Sequence, residues 1–345
     1  MGLKFKEIVT KTEISFADLS GKILAVDSMN LLYQFLTTIR TPDGSVFTDK
    51  EGNVTSHLIG LFSRVSVMME QGLQLAFVFD GKAPEIKRKT WEKRSEIKKE
   101  AALKLEEATR LGNLEEMKRQ SSRTAVLNKD MIEDAQRILT ALGLPIIQAP
   151  SEGEAQTAYM VKKGHAYASV SQDYDNLIFG CPRLVRNLSL EGRRKKPGVY
   201  AYQAIKPELI LLSDVLHTLK LTQDQLIVLA LLVGTDYNPG GIKGIGPQKG
   251  LKLLREFGTD FTALFTKASW KEAYPDLPWQ EVFDTIRNIP VTDNYKLEWK
   301  PFKEKEVYSL LVEKHGFNAE RVKTKLALLA QGSKQQAQQG LGSYF

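Results

Sequence analysis

Short apolar runs, each followed by an acidic residue, recur along the first half of this chain. Residues 22–27 read Lys-Ile-Leu-Ala-Val-Asp, and the run 73–79 is followed by Asp80. The runs 144–148 and 166–171 lead into Ser151-Glu152-Gly153-Glu154 and Gln172-Asp173-Tyr174-Asp175. Runs of this length between turn residues predict buried strands. Helical spacing fills the intervals: Leu31, Leu32, Phe35 and Leu36, then 56–71, a charged stretch over 82–130 broken at Gly112-Asn113, 129–142, and a helix to about Lys163. Turns are predicted at 42–44 and 50–53. Two strand-like runs, 184–188 and 198–202, flank Arg193-Arg194-Lys195-Lys196, which reads as a loop. Thr222-x-x-Gln225 predicts a capped helix over 225–233, and the chain from there to about Leu329 reads as helical and loop-rich. Residues 331–345, with five Gln and three Gly, predict a flexible tail. Strands alternating with helices predict an α/β fold, its mostly parallel sheet covered on both faces and its ligand site at the carboxyl ends of the strands.

Composition narrows the class. The 345 residues carry 48 Lys and Arg against 41 Asp and Glu, a formal net charge of +7, with one cysteine and a pI near 9.1. Cys181 has no partner for an internal disulfide, and the four scattered His exclude a Cys/His zinc site. No apolar run is long enough to span a bilayer and the N-terminus lacks a signal-peptide core, so an intracellular protein is expected. The basic surplus concentrates at 82–99, with eight Lys and Arg against three Glu. That segment is either a solvated helix face or a polyanion-binding one.

The acids supply the candidate chemistry. Asp27, Asp80, Glu152, Glu154, Asp173, Asp175 and Asp236 all fall just after a strand or at a helix boundary. Taken singly they have ordinary explanations, such as Ser151-x-x-Glu154 as a capping box or Asp27 and Asp80 as turn residues. Converging on one rim, they would repel one another unless cations neutralised them. An all-oxygen set selects Mg²⁺, with Mn²⁺ able to substitute, and two such ions suit in-line phosphodiester hydrolysis.

Three other features accompany the acids. Gly240, Gly241, Lys243, Gly244, Gly246, Pro247 and Lys249 form a glycine-rich turn into a helix, suited to holding phosphates through backbone amides or serving as a plain connector. Lys87 and Arg94, two helical turns apart, project from one face and could meet a scissile phosphate. Tyr33 is either a core aromatic or a base-stacking residue. In the tail, Gln338, Leu341 and Tyr344 are spaced by three and would align in a 3₁₀ turn, an apolar plug for a partner groove.

These residues together resemble the XPG-like structure-specific nucleases, and within them the archaeal-type flap endonucleases. The likeness rests on Val26-Asp27, Phe77-Val78-Phe79-Asp80-Gly81-Lys82-Ala83-Pro84, Glu152-Gly153-Glu154-Ala155, Gln172-Asp173-Tyr174-Asp175, Gly234-Thr235-Asp236-Tyr237 and the Gly-Ile-x-Gly-Ile-Gly-Pro loop. The resemblance implies a PIN-like α/β nuclease domain over 1–330. It comprises an N-terminal region (about 1–105), a helical arch (about 82–130), an internal region (about 125–260) and a helical part (about 261–330), with 331–345 as a tail. It implies two Mg²⁺ held by the seven acids, with Asp27, Asp80, Glu152 and Asp173 also catalytic alongside Lys87 and Arg94 on the arch, and Tyr33 stacking on a base. It implies a helix–two-turn–helix element at 240–247 that binds duplex DNA with a monovalent cation such as K⁺, and DNA contacts from Arg40, Thr55 and Arg64. In relatives the free amine of Gly2 lies near the active site. The tail resembles a sliding-clamp interaction box at Gln338, Leu341, Tyr344 and Phe345, without the nuclear-import tail of relatives from nucleated cells. The implied activity is a monomeric 5′-flap endonuclease and 5′–3′ exonuclease, leaving 5′-phosphate and 3′-hydroxyl ends, in Okazaki-fragment maturation and long-patch base-excision repair. The rival readings are a related nuclease for bubbles or Holliday junctions and a non-catalytic DNA-binding scaffold.

Overall fold

A computed structural model describes residue 3 and residues 5–190, 192–195 and 202–342; side chains at 88–91, 93, 94, 114, 118, 122, 190–204 and beyond 332 lie outside that description. The strands are β1 (Thr12–Glu13), β2 (Ile23–Asp27), β3 (Gln74–Phe79), β4 (Ile146–Gln148), β5 (Ala168–Val170), β6 (Arg183–Arg186), β7 (Gly192–Lys195), β8 (Tyr202–Ile205) and β9 (Glu208–Leu211). Helices α1 (Ser28–Thr38) and α2 (Ser56–Glu70) join β2 to β3. Then α3 (Arg88–Arg110), α4 (Leu114–Arg123) and α5 (Lys129–Ala141) join β3 to β4, α6 (Gly153–Lys162) joins β4 to β5, and α7 (Asp175–Ile178) joins β5 to β6. The remaining helices are α8 (Leu212–Leu219), α9 (Gln223–Val233), α10 (Pro247–Phe257), α11 (Phe261–Lys267), α12 (Trp270–Ala273), α13 (Trp279–Arg287), α14 (Glu304–Tyr308) and α15 (Ala319–Gly342).

Among the described residues the main sheet runs β1-β9-β6-β5-β2-β3-β4. The five strands from β6 to β4 are parallel, and β9 and β1 add an antiparallel edge. Alternation along the strands separates two cores. Leu24, Val26, Leu75, Phe77 and Phe79 face the layer of α1, α2, α5 and α15, while the smaller Ala25, Ala76 and Val78 face that of α6 and α9. The chain builds outward from β2 through β3 to β4, then returns to β5 on the other side of β2. The crevice at that switch point, beyond the carboxyl ends of β2, β3 and β5, is where an open α/β sheet takes its ligand.

The charged stretch forms an antiparallel pair, α3 and α4, turning at Gly112 with φ +65°. Glu100 faces Arg123 and Glu116 faces Lys104 across the pair. After α13 the chain becomes an extended strap along α6 and β3. Gln156 exchanges two hydrogen bonds with the backbone of Thr292, and Trp299 Nε1 donates to Leu75 O. His315, buried, bridges Asp49 and Asp134 at 2.9 and 3.0 Å and so ties the C-terminal helices to both α5 and the turn before α2.

Two expectations are corrected. Arg193 to Lys195 are not loop: β7 pairs antiparallel with β8, Arg194 opposite Gln203. Gly192-Arg193-Arg194-Lys195 contains no apolar residue, so hydrophobic patterning gives no sign of a strand there. The chain from 331 to Gly342, read as a flexible tail, continues the backbone of α15. Gln, Ala and Lys are good helix formers, and they extend a helix whose first turns are already anchored by buried Val322, Leu326 and Leu329. No single helix among the described residues is long and apolar enough to cross a membrane.

Candidate active site

Each acid is delivered by the end of an element. Asp27 closes β2 and N-caps α1, its Oδ1 accepting from Asn30 N–H at 3.1 Å. Asp80 follows β3. Beyond it Gly81 N–H donates to Ser151 O at 2.6 Å, an approach that needs glycine, since a Cβ there would meet Ala149 O at 2.1 Å. That crossing sets Asp80 beside the start of α6, where Oδ1 accepts from Gly153 N–H at 2.7 Å. Glu152 occupies the N-cap position of α6 and Glu154 its first turn. The backbone of Glu154 is held from beneath by a buried cluster of Asn176, Thr157 and Ser169. Asp173 lies in the loop after β5, and Asp175 begins α7 and accepts from Leu3 N–H at 2.9 Å. Gly2 lies outside the described residues; the Leu3 contact nonetheless brings the N-terminal segment to the acids. Asp236 follows α9, in the turn after Gly234.

The seven carboxylates form one electrostatic cluster. Burial, together with the charges of Asp80 and Asp173, pushes Asp27 up to about 8. Asp175 is pushed up to about 7 by burial, Asp173 and Asp236. Glu154 is raised well above its usual range by burial and by Asp175, Asp27 and Asp173. Asp80 is raised by burial and Glu152, against the opposing hydrogen bond from Gly153. Ser171 sits between two of them, its Oγ 3.3 Å from both Asp27 Oδ2 and Glu154 Oε1.

Lys87 supplies a positive charge inside the cluster. Its Nζ lies 2.5 Å from Glu152 Oε1 and 3.9 Å from Asp236 Oδ2, over the ring of Tyr237 at 4.7 Å. Burial works against this ammonium, but Glu152 and Asp236 outweigh it and hold its pKa above the usual range. Tyr237 donates to Glu152 Oε2 at 2.9 Å, so both oxygens of that carboxylate are engaged. Among the described residues, no three acidic, His or Cys side chains close on one point as a ready-made ligand cage. The donor set still fits hard divalent cations: it is all oxygen and crowded, with Asp27, Glu152 and Asp175 buried and Asp80 exposed at the rim.

The other predicted residues divide. Lys87 is the last residue of a short 3₁₀ turn ahead of α3. Arg94 lies on α3 with its side chain outside the described residues. Tyr33 hydroxyl donates to Ala125 O at 2.6 Å and Lys98 Nζ stands 5.3 Å over its ring, which places it against the α3–α4 pair. Arg40, Thr55 and Arg64 are not brought to the acids. Arg40 bonds Leu36 O, Gly44 O and Ser121 Oγ, Thr55 is buried before α2, and Arg64 is exposed on α2. Between α9 and α10, Gly240, Lys243, Gly244 and Gly246 are exposed, as is Lys249 in the first turn of α10; Gly241 is partly so, and Pro247 begins α10 as predicted. The turn is knit by Thr235 and Asn238 side chains and by Ile242 N–H to Leu232 O. Beside it a groove of about 480 Å³ is lined in part by Lys243, Lys249 and Lys267. Gln338 and Leu341 lie on α15 with side chains outside the described residues, and Tyr344 and Phe345 lie outside them altogether.

Sequence reasoning missed Asn30, Ser171 and Asn176, whose roles arise only from contacts between distant segments. Tyr237 was legible only as a motif neighbour of Asp236.

The chain matches two family models, the XPG N-terminal domain over residues 2–101 and the XPG I-region over residues 143–236. Flap endonuclease 1 of Pyrococcus horikoshii is 48% identical over 345 residues, covering 100% of this chain and 98% of that one. The chain belongs to the flap endonuclease 1 family. Flap endonuclease 1 of Staphylothermus marinus is 46% identical over 352 residues, with 100% of both chains covered. The solved structure of flap endonuclease-1 from Methanococcus jannaschii is 38% identical with a TM-score of 0.74, covering 97% of this chain and 100% of its own. The catalytic core of Rad2 in complex with DNA substrate shares the fold, with a TM-score of 0.70 at 24% identity over 95% of this chain and 100% of that one. In this flap endonuclease family member, Asp27, Asp80 and Lys87 fall in the first matched region and the other five acids in the second. The site is thus assembled across both regions, and the chain is a nuclease.

Proposed function

We propose that this chain removes 5′ flaps from branched DNA by hydrolysis at the single-strand/duplex junction, with two Mg²⁺ ions that polarise the scissile phosphate and lower the pKa of the attacking water when bound. The observation that carries this reading is the convergence of seven carboxylates, in mutual electrostatic contact, on the carboxyl rim of β2, β3 and β5. Asp27, Asp80, Glu152, Glu154, Asp173, Asp175 and Asp236 would hold the ions. Lys87, now paired with Glu152, is placed to exchange that partner for a scissile phosphate and offset its developing charge. Tyr33 on α1 and Arg94 on α3 would orient the flap strand. The exposed glycine turn and its lysines would hold the duplex backbone with K⁺, fixing the distance from duplex to cut. Products would carry 5′-phosphate and 3′-hydroxyl ends, and the same site would act as a 5′–3′ exonuclease.

The role in Okazaki-fragment maturation and long-patch repair, and docking to a sliding clamp through Gln338, Leu341, Tyr344 and Phe345, rest on the tail motif and the family. A monomer in the cytoplasm completes the reading. Cys181, the one cysteine of the sequence, has no partner for an internal disulfide, as suits a reducing compartment. The test is a 5′-flap duplex incubated with Mg²⁺ and then with EDTA. Cleavage at the junction that stops with EDTA, and that Asp80→Ala and Asp173→Ala abolish while still binding the flap, is the expected result. Preference for bubbles or four-way junctions would move the chain to a related nuclease, and tight binding without cleavage would make it a scaffold.

A further inference from the structure

Asn30 stands one turn into α1, three residues after Asp27, and meets the site in three places. Its backbone N–H donates to Asp27 Oδ1 at 3.1 Å, its Nδ2 donates to Asp173 Oδ2 at 2.8 Å, and its Oδ1 accepts from Gln172 N–H at 3.0 Å. The amide can sit only one way round, because the reverse would set its oxygen against the Asp173 carboxylate and its NH₂ against the Gln172 N–H. Two bonds to adjacent residues fix both the position and the rotation of the loop after β5, as one bond would not. The side chain does no capping work for α1, since Asp27 already performs it.

We propose that Asn30 is a positioning residue for the hydrolysis: its carboxamide holds Asp173 in register with Asp27, so that acids from β2 and from the loop after β5 form one pair for divalent-cation binding. The proposal rests on the reading of the carboxylates as cation ligands given above. The residue type follows from the chemistry. A neutral amide donates to a carboxylate without competing for the cation, whereas Lys or Arg would neutralise Asp173 itself. An aspartate would repel it, and a leucine would make neither bond. Residues that orient metal ligands in this way commonly change metal affinity or activity by about 10–100-fold when replaced.

The test uses the full chain with Asn30→Ala and Asn30→Asp, the latter keeping the shape and the bond from Gln172. Mn²⁺ binding to the DNA-free protein is followed by electron paramagnetic resonance, flap affinity is measured in EDTA, and single-turnover cleavage is measured against Mn²⁺ concentration. Asn30→Ala is expected to bind Mn²⁺ about tenfold more weakly and to cut about 10–100-fold more slowly, with flap affinity within about twofold of the parent. Asn30→Asp, which pushes Asp173 away, is expected to cut at least about tenfold more slowly even at saturating Mn²⁺, and this decides the matter if the Ala variant fails to fold. Parental Mn²⁺ binding and rate in the variants would overturn the role of Asn30. So would a rate loss matched by equal losses in flap affinity and melting temperature with Mn²⁺ binding intact. A parent chain that binds no Mn²⁺ and cuts no flap would overturn the underlying reading, and this one with it.

Discussion

At the scale of single residues, burial determines how the acids behave before any cation arrives. In the unfolded chain Asp27 and Asp175 ionise near 3.8, whereas in the folded protein they do so near 8 and 7. Between those limits the folded state binds more protons than the unfolded one, so stability falls as pH rises. In EDTA the melting temperature is therefore expected to fall from pH 5 to pH 8 and then level off. Mg²⁺ should raise it more at pH 8 than at pH 5, because the cation needs the charged form. A melting temperature in EDTA that climbs over this range would contradict the crowding of the carboxylates. Lys87 makes a second prediction. Lys87→Met should slow single-turnover cleavage by about 100-fold or more, the scale of losing a charge that stabilises a transition state, with little loss of flap affinity. An equal loss in binding would assign Lys87 to substrate capture instead.

At the scale of elements, what was legible in the sequence was local. Thr222 and Gln225 form a reciprocal capping box, bonded at 3.2 and 2.9 Å, as their spacing predicts. Pro247 opens α10, and Asp27 and Asp80 end their strands. What was not legible depends on strand pairing: the β7–β8 ribbon, whose basic first strand has no apolar run, and the antiparallel edge in which the two-residue β1 meets β9. The glycine turn allows a comparison between two positive-φ positions. A Cβ on Gly241 would lie 2.3 Å from Val233 C and O, whereas around Gly244 there is open space. Gly241→Ala should destabilise the protein by more than about 2 kcal/mol and weaken duplex binding, while Gly244→Ala should cost about 1 kcal/mol for its backbone strain alone. Chemical denaturation separates the two, and equal effects would mean the turn is not packed as described.

At the scale of the whole molecule, the seven acids were found in the sequence because each follows an element that can be read by itself. Their supporting residues were not. Ser171 and Asn30 gain their partners only when β5 docks beside β2, and the strap that pins α6 through Gln156 and Thr292 joins positions 136 residues apart. No spacing rule exposes such a contact. The end of the chain gives a prediction at this scale: deleting residues 333–345 should leave flap cleavage unchanged without a clamp and abolish stimulation by one. Loss of basal cleavage would show that the last turns of α15 belong to the fold.

The strand order has a consequence for the chain's synthesis. Asp27 and Asp80 leave the ribosome early on neighbouring strands, but β2 has one bare edge until β5 is translated about 140 residues later. Until then the nascent polypeptide holds an incomplete set of acids and an unpaired strand open to mispairing. The acid set is complete only once Asp236 has been made, so a product that terminates before it would lack part of the site and is expected not to cut.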